Sequence, residues 1–339
     1  MGRGWEGPSR FLSDTDGVVR AVSSSAMRLA VDERVEIAGD ENEDPTVLGF
    51  ECGSLLIGLR RPAKGPGEES WIQHWLLGVL NNLENIYKSK AFTVDFYNTE
   101  DAKKQINSYV ENNTNGKIVD VLSSVDKDTD SILVNFIQFE GNSETPFEDK
   151  SVGDFHVNKD KTVKVPFLSS TGYYNMAVLD EATLVAVPYK GGISALYILA
   201  NKGKLEEVEA NLEDIMKKWE ERNCSNLVAL SIPTISLSGC LNLKEELAKT
   251  GMTDVFSTPS GTTGDSKLNI SKVLHVAKAN FNEMGNIAAR TTGLEISPLE
   301  RPPKINVNRP FILILVTTSN LIFMGIVTNP SNSLNRCPK

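Results

Sequence analysis

The chain has 339 residues, enough for one large domain or two of ordinary size, and its 40% hydrophobic and 23% charged residues are typical of a globular protein. A net charge of −9 argues against nucleic acid or an anionic membrane as a partner, because both attract basic surfaces. No stretch approaches the ~20 uninterrupted apolar residues of a membrane span. The first residues lack the apolar core of a signal peptide, so none is visible in this chain.

The four cysteines, Cys52, Cys224, Cys240 and Cys337, are widely spaced and form no CxxC pair. This spacing indicates neither a disulfide scaffold nor a zinc site, so we expect four free or partly buried thiols. The sequence implies no metal and no cofactor.

The N-terminal segment, residues 1–77, differs in composition from the remainder of the chain. It is rich in Gly, Arg, Glu and Asp, as in "AGDENEDP" and "RRPAKGPGEES", and lacks sustained periodicity. We expect this atypical segment to be poorly ordered. From Trp75 the pattern changes, because "WLLGVLNNLENIY" has apolar residues at helical spacing and "AFTVDF" alternates like a strand. "NTEDAKKQINSYVENNT" opens with a cap signal and acidic residues, which predicts a helix.

The middle of the chain predicts clustered strands. "SILVNFIQF" is rich in β-branched and aromatic residues, as a central strand would be, while the prolines in "TVKVPFL" and "TLVAVPYK" favour an edge or a bulge. In "YKGGISALYILA" the glycine pair marks a hairpin. "GKLEEVEANLEDIMKKWEER" has the apolar stripe of one amphipathic helix.

The remaining elements complete the pattern. "LVALSIPTISLSG" returns to strand, "NLKEELAKTGMTDVF" is a short helix that ends at Gly251, and "FILILVTTSNLIFMGIV" gives two apolar strands around a turn. Strands occur in clusters rather than alternating strictly with helices, which predicts an α+β fold.

Signals of catalysis are absent from the sequence. None of the three histidines lies in HExxH, no GxSxG motif occurs, and "GTTGDSK" does not satisfy the phosphate-loop pattern. The protein is therefore not expected to be an enzyme. His275 alternates with valines near a strand and is expected to be buried and hydrogen-bonded. Three sequons mark glycosylation candidates at Asn112, Asn223 and Asn269.

An unusual connection separates two of the predicted strands. "NEMGNIAARTTGLEISPLERPPKINVNRPF" occupies residues 282–311 and precedes the strand "FILILV". A tight hairpin needs about two to five residues, so a connection of this length is either disordered or functional.

Six blocks of the sequence together resemble the serpin family, clade A, over about residues 78–339. They are "GKIVDVL", "DSILVNFIQFEG", "FHVNKDKTVKVPFL", "ISLSGCLNLKEELAKTGMTDVFS", "KVLHVAKANFNEMGNIAA" and "VNRPFILILV…LIFMGIVTNP". The resemblance implies an α+β serpin domain with a large central β-sheet, further sheets, surrounding helices and an exposed reactive loop at residues 283–304. Residues 1–77 do not resemble the family's N-terminal helices, which normally fill the back of the central sheet.

The same resemblance implies a serine protease inhibitor, extracellular and monomeric. A protease cleaves the loop, whose N-terminal limb then inserts as a strand into the central sheet. The alignment places the cleaved bond between Leu299 and Glu300, and a leucine there suits a chymotrypsin- or elastase-like protease. The implied loop hinge consists of Glu283, Gly285, Asn286, Ala288, Ala289 and Arg290. Asn135 and His275 match a polar cluster under the sheet that controls its opening.

The chain departs from the inhibitory pattern at three positions. Arg290 falls at a hinge position that turns inward on insertion, where burial of an unpaired guanidinium costs several kcal/mol. Ser143 replaces an expected tryptophan, and Thr234 replaces a lysine that would pair with Glu283. The alternatives are a non-inhibitory serpin that carries a small hydrophobic ligand, and an inactive truncated serpin.

Overall fold

The computed structural model describes residues 20–22, 50–52, 56–60, 90–141, 143–144, 147–249, 251, 253, 256, 270–281, 302–317 and 321–331. The described helices are α1 Thr99–Asn113, α2 Leu205–Ala210, α3 Leu212–Arg222 and α4 Leu243–Lys249. The described strands are β1 Arg20–Val22, β2 Phe50–Cys52, β3 Leu56–Arg60, β4 Lys90–Val94, β5 Ser131–Glu140, β6 Asp149–His156, β7 Thr162–Val178, β8 Ala182–Tyr189, β9 Ile193–Ala200, β10 Cys224–Pro233, β11 Ile235–Asn242, β12 Ile270–Phe281, β13 Lys304–Asn306, β14 Phe311–Val316 and β15 Leu321–Val327.

Six of the described strands form a mixed sheet in the order β11-β12-β5-β3-β4, with β2 also paired to β5. Helix α1 covers one face of this sheet, because its apolar stripe of Ala102, Ile106 and Val110 is fully buried in a cluster with strand residues. Phe136 of β5 and Val276 of β12 belong to the same cluster, so the helix and the strands bury one another's apolar faces.

Nine of the described strands form a second sheet, in the order β1-β15-β14-β9-β8-β7-β10-β13, with β6 paired to β7. Strand β7 has 17 residues and pairs with β6, β8 and β10 along different parts of its length. The largest buried cluster lies between the two sheets and joins residues such as Phe139 and Phe281 to Tyr197 and Phe311. The second sheet therefore supports one end of β5 and β12.

The local sequence explains where several of the helices and strands begin or end. The predicted hairpin joins β8 and β9, and both Gly191 and Gly192 have positive φ angles of 85° and 69°, which glycine adopts without strain. The predicted single helix is divided at Asn211, whose Nδ2 donates to the Glu207 oxygen at 2.9 Å, so α2 ends and α3 begins there. Helix α4 ends before Gly251, as expected, where φ is 95°.

Two further predictions from the sequence concern the N-terminal segment and the cysteines. Strands β1, β2 and β3 come from the segment 1–77 that the sequence predicts to be poorly ordered, and each pairs with another strand. The expectation of four free thiols is wrong for Cys240, which is disulfide-bonded, whereas Cys224 is free and exposed. Wide spacing along the chain does not report on distance in the fold.

None of the helices in the described part of the chain has the length and apolar character needed to cross a membrane.

Candidate functional site

The boundary between β5 and β12, here called the seam, is a candidate functional site. The two strands pair in parallel from Ile270 opposite Ser131 to Asn280 opposite Glu140. Strand β12 ends at Phe281, and the chain next enters a described strand at Lys304 in the other sheet. The predicted reactive loop therefore begins where the seam ends.

An aromatic cluster lies at the end of the seam from which the predicted reactive loop leaves. The ring of Phe281 lies 5.3 Å from that of Phe139 and 6.0 Å from that of Tyr189, and Phe139 and Tyr189 are 5.6 Å apart. Such separations suit tilted and edge-to-face aromatic contacts. Gly141 follows β5 beside them, and a Cβ there would overlap the Tyr189 ring. The position thus requires glycine for steric reasons.

On the face covered by α1, Lys117 contacts both strands of the seam. Its Nζ lies 2.5 Å from Glu140 Oε2 of β5, and its carbonyl oxygen accepts a hydrogen bond from Lys278 Nζ of β12 at 2.7 Å. Gln138 of β5 joins them in the amide orientation that lets it accept from Lys117 Nζ at 3.3 Å and donate to the Thr114 oxygen at 3.3 Å. Lys117 therefore connects the two strands on the face of the sheet that α1 covers.

Lys117 belongs to the crossing segment, defined as residues 114–130, which leads from α1 to β5. Farther along the segment, the Ser124 oxygen accepts from Lys272 Nζ at 3.1 Å, and the Asp130 N–H donates to Ser271 Oγ at 2.9 Å. Both partners belong to β12, so the segment is attached to that strand at three points. No sequence motif marks these residues, because lysine-to-carbonyl hydrogen bonds have no characteristic spacing, and the sequence reasoning missed them.

On the opposite face, the structure brings the two predicted polar-cluster residues together. His275 of β12 is opposite Asn135 of β5, and Asn135 Nδ2 lies 3.3 Å from His275 Nδ1. His275 is only 2% exposed, and its Nε2 has no hydrogen-bond partner among the described residues. Burial lowers the pKa of the imidazole from its ordinary 6.5 to about 4, because the charged form would lose its solvation.

The two substituted positions near the end of the seam make local contacts instead of the family's. Thr234 directs its N–H and its Oγ1 to the Pro166 oxygen, at 2.9 and 3.3 Å. Ser143 forms an isolated bridge with Tyr189, and its Oγ donates to the Pro188 oxygen at 3.4 Å. These contacts hold the backbone in place, although the tryptophan and the lysine expected from the resemblance are absent.

The other predicted site residues divide into two groups. The cleaved bond, Leu299 and Glu300, the whole hinge and the sequon at Asn269 lie outside the described residues. The remaining two sequons are described: Asn112 is exposed on α1, while Asn223 is half-buried and its Nδ2 donates to the Trp219 oxygen at 2.7 Å. Within the described ranges, no group of three or more His, Cys, Asp or Glu residues is placed to hold a metal ion.

The family model and the related sequences that match this chain indicate the same family. The model of a family described as serpin (serine protease inhibitor) matches residues 79–330. An alpha-1-antiproteinase of Ovis aries is 38% identical over 264 residues, which are 75% of this chain and 64% of that protein. The alpha-1-antitrypsin-like protein GS55-MS of Ictidomys tridecemlineatus is 37% identical over 262 residues, 74% of this chain and 63% of that protein. The match thus spans less than two thirds of the length of these relatives.

Solved structures agree with the sequence matches. Human thyroxine-binding globulin superposes with a TM-score of 0.72 at 27% identity, covering 84% of this chain and 76% of that one. Mouse protein-Z dependent protease inhibitor gives a TM-score of 0.71 at 25% identity, covering 84% and 75%. The α+β serpin fold expected from the sequence is confirmed, and the chain is a member of the serpin family.

Proposed function

We propose that this serpin is an extracellular inhibitor of a chymotrypsin- or elastase-like serine protease and that it acts by inserting its cleaved loop into the seam. The observation that carries the proposal is the parallel pairing of β5 with β12, directly before the loop. A chain that reverses after Phe281 would run antiparallel to both strands. It could then replace the parallel pairing with two antiparallel ladders, which pair slightly better per residue.

The protease would recognise the loop before insertion begins. Leu299 would enter the apolar specificity pocket, and Glu300 would begin the released C-terminal fragment. An apolar pocket favours leucine through burial of its side chain, whereas a pocket with a buried carboxylate would leave that charge unpaired. Insertion must then outpace hydrolysis of the acyl-enzyme.

Arg290 is the hinge residue that opposes the proposal most strongly. If residues 282–285 make the turn and Asn286 lies level with Phe281, Arg290 comes about 13 Å farther along the seam, at ~3.3 Å per residue. It would lie near Ala277, on the face toward the large buried cluster. An inward guanidinium there has apolar neighbours, and a barrier raised by about 3 kcal/mol slows insertion on the order of a hundredfold.

The direct test is to mix the purified protein with chymotrypsin and with neutrophil elastase and to run denaturing gels under reducing conditions. We expect a band at the summed mass that survives boiling in detergent, and a released peptide that begins at Glu300. Clean cleavage at Leu299 without this band would contradict inhibition. Cutting throughout the chain would indicate an inactive, incompletely folded serpin.

A second candidate function is that of a carrier for a small hydrophobic ligand. It is favoured by Arg290, which a carrier tolerates because its loop need not insert, and by the fold shared with human thyroxine-binding globulin. Cleavage without a trapped complex, together with a melting temperature raised by a hydrophobic ligand, would support it.

We propose that, of the two described sequons, Asn112 is the one that is glycosylated when the protein is secreted. Its side chain is exposed on α1, whereas the Asn223 amide donates to the Trp219 oxygen at 2.7 Å. The protein is to be expressed in secreting cells and treated with an N-glycosidase. Asn112→Gln should reduce the mass shift by one glycan, whatever Asn269 contributes, whereas Asn223→Gln should leave the shift unchanged; the reverse pattern would contradict the assignment.

A further inference from the structure

We infer that Lys117 controls the opening of the seam, as a positioning residue that must release one strand before any chain can insert. The inference rests on the proposed function, since it concerns the same seam. Two polar groups of Lys117 contact opposite sides of the seam: Nζ contacts Glu140 of β5 at 2.5 Å, and the carbonyl oxygen accepts from Lys278 of β12 at 2.7 Å.

Strand geometry explains why these contacts matter. Neighbouring strands lie ~4.8 Å apart, so an inserted strand moves β5 and β12 to about 9.6 Å from each other. The donor and acceptor atoms of a protein hydrogen bond usually lie about 2.7–3.2 Å apart, far less than this displacement. The contacts to Glu140 and Lys278 therefore cannot both persist in their present geometry, and one must break before insertion.

The position of Lys117 along the seam strengthens this reasoning. Asn280, opposite Glu140, is the second-last residue of β12, so the contact lies where a chain leaving Phe281 would first separate the strands. The next attachments of the crossing segment lie farther from the loop: Ser124 contacts Lys272 of β12, and Asp130, which directly precedes β5, contacts Ser271 at the other end of the seam. On this face Lys117 is therefore the point at which the crossing segment contacts both strands close to the loop, whereas Asn135 and His275 connect the strands on the opposite face.

The two contacts should contribute unequally. The Lys117 and Glu140 side chains are 34% and 30% exposed, and ion pairs in that range gain little because water screens them. The Lys278 bond is a partly buried, charge-assisted bond to a carbonyl, which is stronger. Loss of the Lys278 bond should therefore accelerate opening more than loss of the Glu140 pair.

Peptide uptake measures opening without a protease and without cleavage of the protein's own loop. The probe is a fluorescein-labelled synthetic peptide of residues 284–297 carrying Arg290→Ala, and its incorporation is followed on native gels. We expect Lys278→Met to speed uptake about tenfold and Glu140→Gln about threefold. Lys103→Met is the matched control, because Lys103 pairs with Glu100 on α1 at 2.7 Å, within the helix. It should leave the rate unchanged.

Hydrogen exchange supplies a readout that does not depend on insertion. Amides of β5 and β12 near Glu140 and Lys278 should exchange faster in Lys278→Met than in Lys103→Met, even if no variant takes up the peptide. Equal uptake and equal exchange in all variants, or equal acceleration in the control, would overturn the inference. Peptide uptake without a trapped protease complex would refute the proposed inhibition while the inference stands.

Discussion

Acidification should destabilise the fold through His275. Its pKa of about 4 lies below the ordinary 6.5, so as the pH falls the unfolded chain takes up this proton first. Stability is therefore complete above about pH 6.5 and is lost progressively between 6.5 and 4. From these two values the loss at pH 5 is about 2 kcal/mol. The structural reason is burial, because the imidazole is only 2% exposed and its charged form would lose its solvation; a proton on Nδ1 would also break the bond that Nδ1 accepts from Asn135 Nδ2 at 3.3 Å.

Two measurements test this prediction. The imidazole pKa can be read from an NMR titration, since the chain has only three histidines, His74, His156 and His275. Urea unfolding at pH 7.5 and pH 5, compared between the parent and His275→Gln, then separates this residue from the carboxylates. The parent should lose about 2 kcal/mol more than the variant over this interval. An imidazole pKa at or above 6.5, or identical pH dependence in both proteins, would refute the reasoning.

Further substitutions also have defined outcomes. Arg290→Ala should raise the fraction of trapped protease relative to cleaved serpin on denaturing gels, and an unchanged fraction would show that the guanidinium is not buried on insertion. Tyr174→Phe should lower the free energy of unfolding in urea by about 1 kcal/mol, because its buried hydroxyl is 2.6 Å from the Ser170 hydroxyl, and an unchanged value would contradict this. Gly141→Ala should lower the melting temperature through its clash with Tyr189, at about 1–3 kcal/mol, and a neutral result would mean that the ring moves freely.

Local chemistry made several elements predictable from the sequence. The glycine pair at 191–192 needs positive φ angles, and the hairpin forms there. The helix "TEDAKKQINSYVENN" begins at the predicted cap signal and buries Ala102, Ile106 and Val110. The polar pair Asn135 and His275 also follows from sequence, because both lie on strands and the family resemblance indicates that they meet.

The features that were missed depend on long-range geometry. The single apolar stripe over residues 205–222 gives no warning of the break at Asn211, because both halves keep the same buried face. The bridge at Lys117 joins residues more than a hundred positions apart, one of them through a backbone carbonyl that exists at every position. The disulfide at Cys240 is likewise invisible in a spacing of four scattered cysteines.

The most direct test of loop insertion is the melting temperature of the protein before and after a single cleavage in residues 285–299. If the cleaved limb becomes a strand between β5 and β12, the melting temperature should rise by at least about 10 °C, the shift that roughly 5 kcal/mol produces in a domain of this size. An unchanged or lower melting temperature after clean cleavage would contradict insertion into the seam.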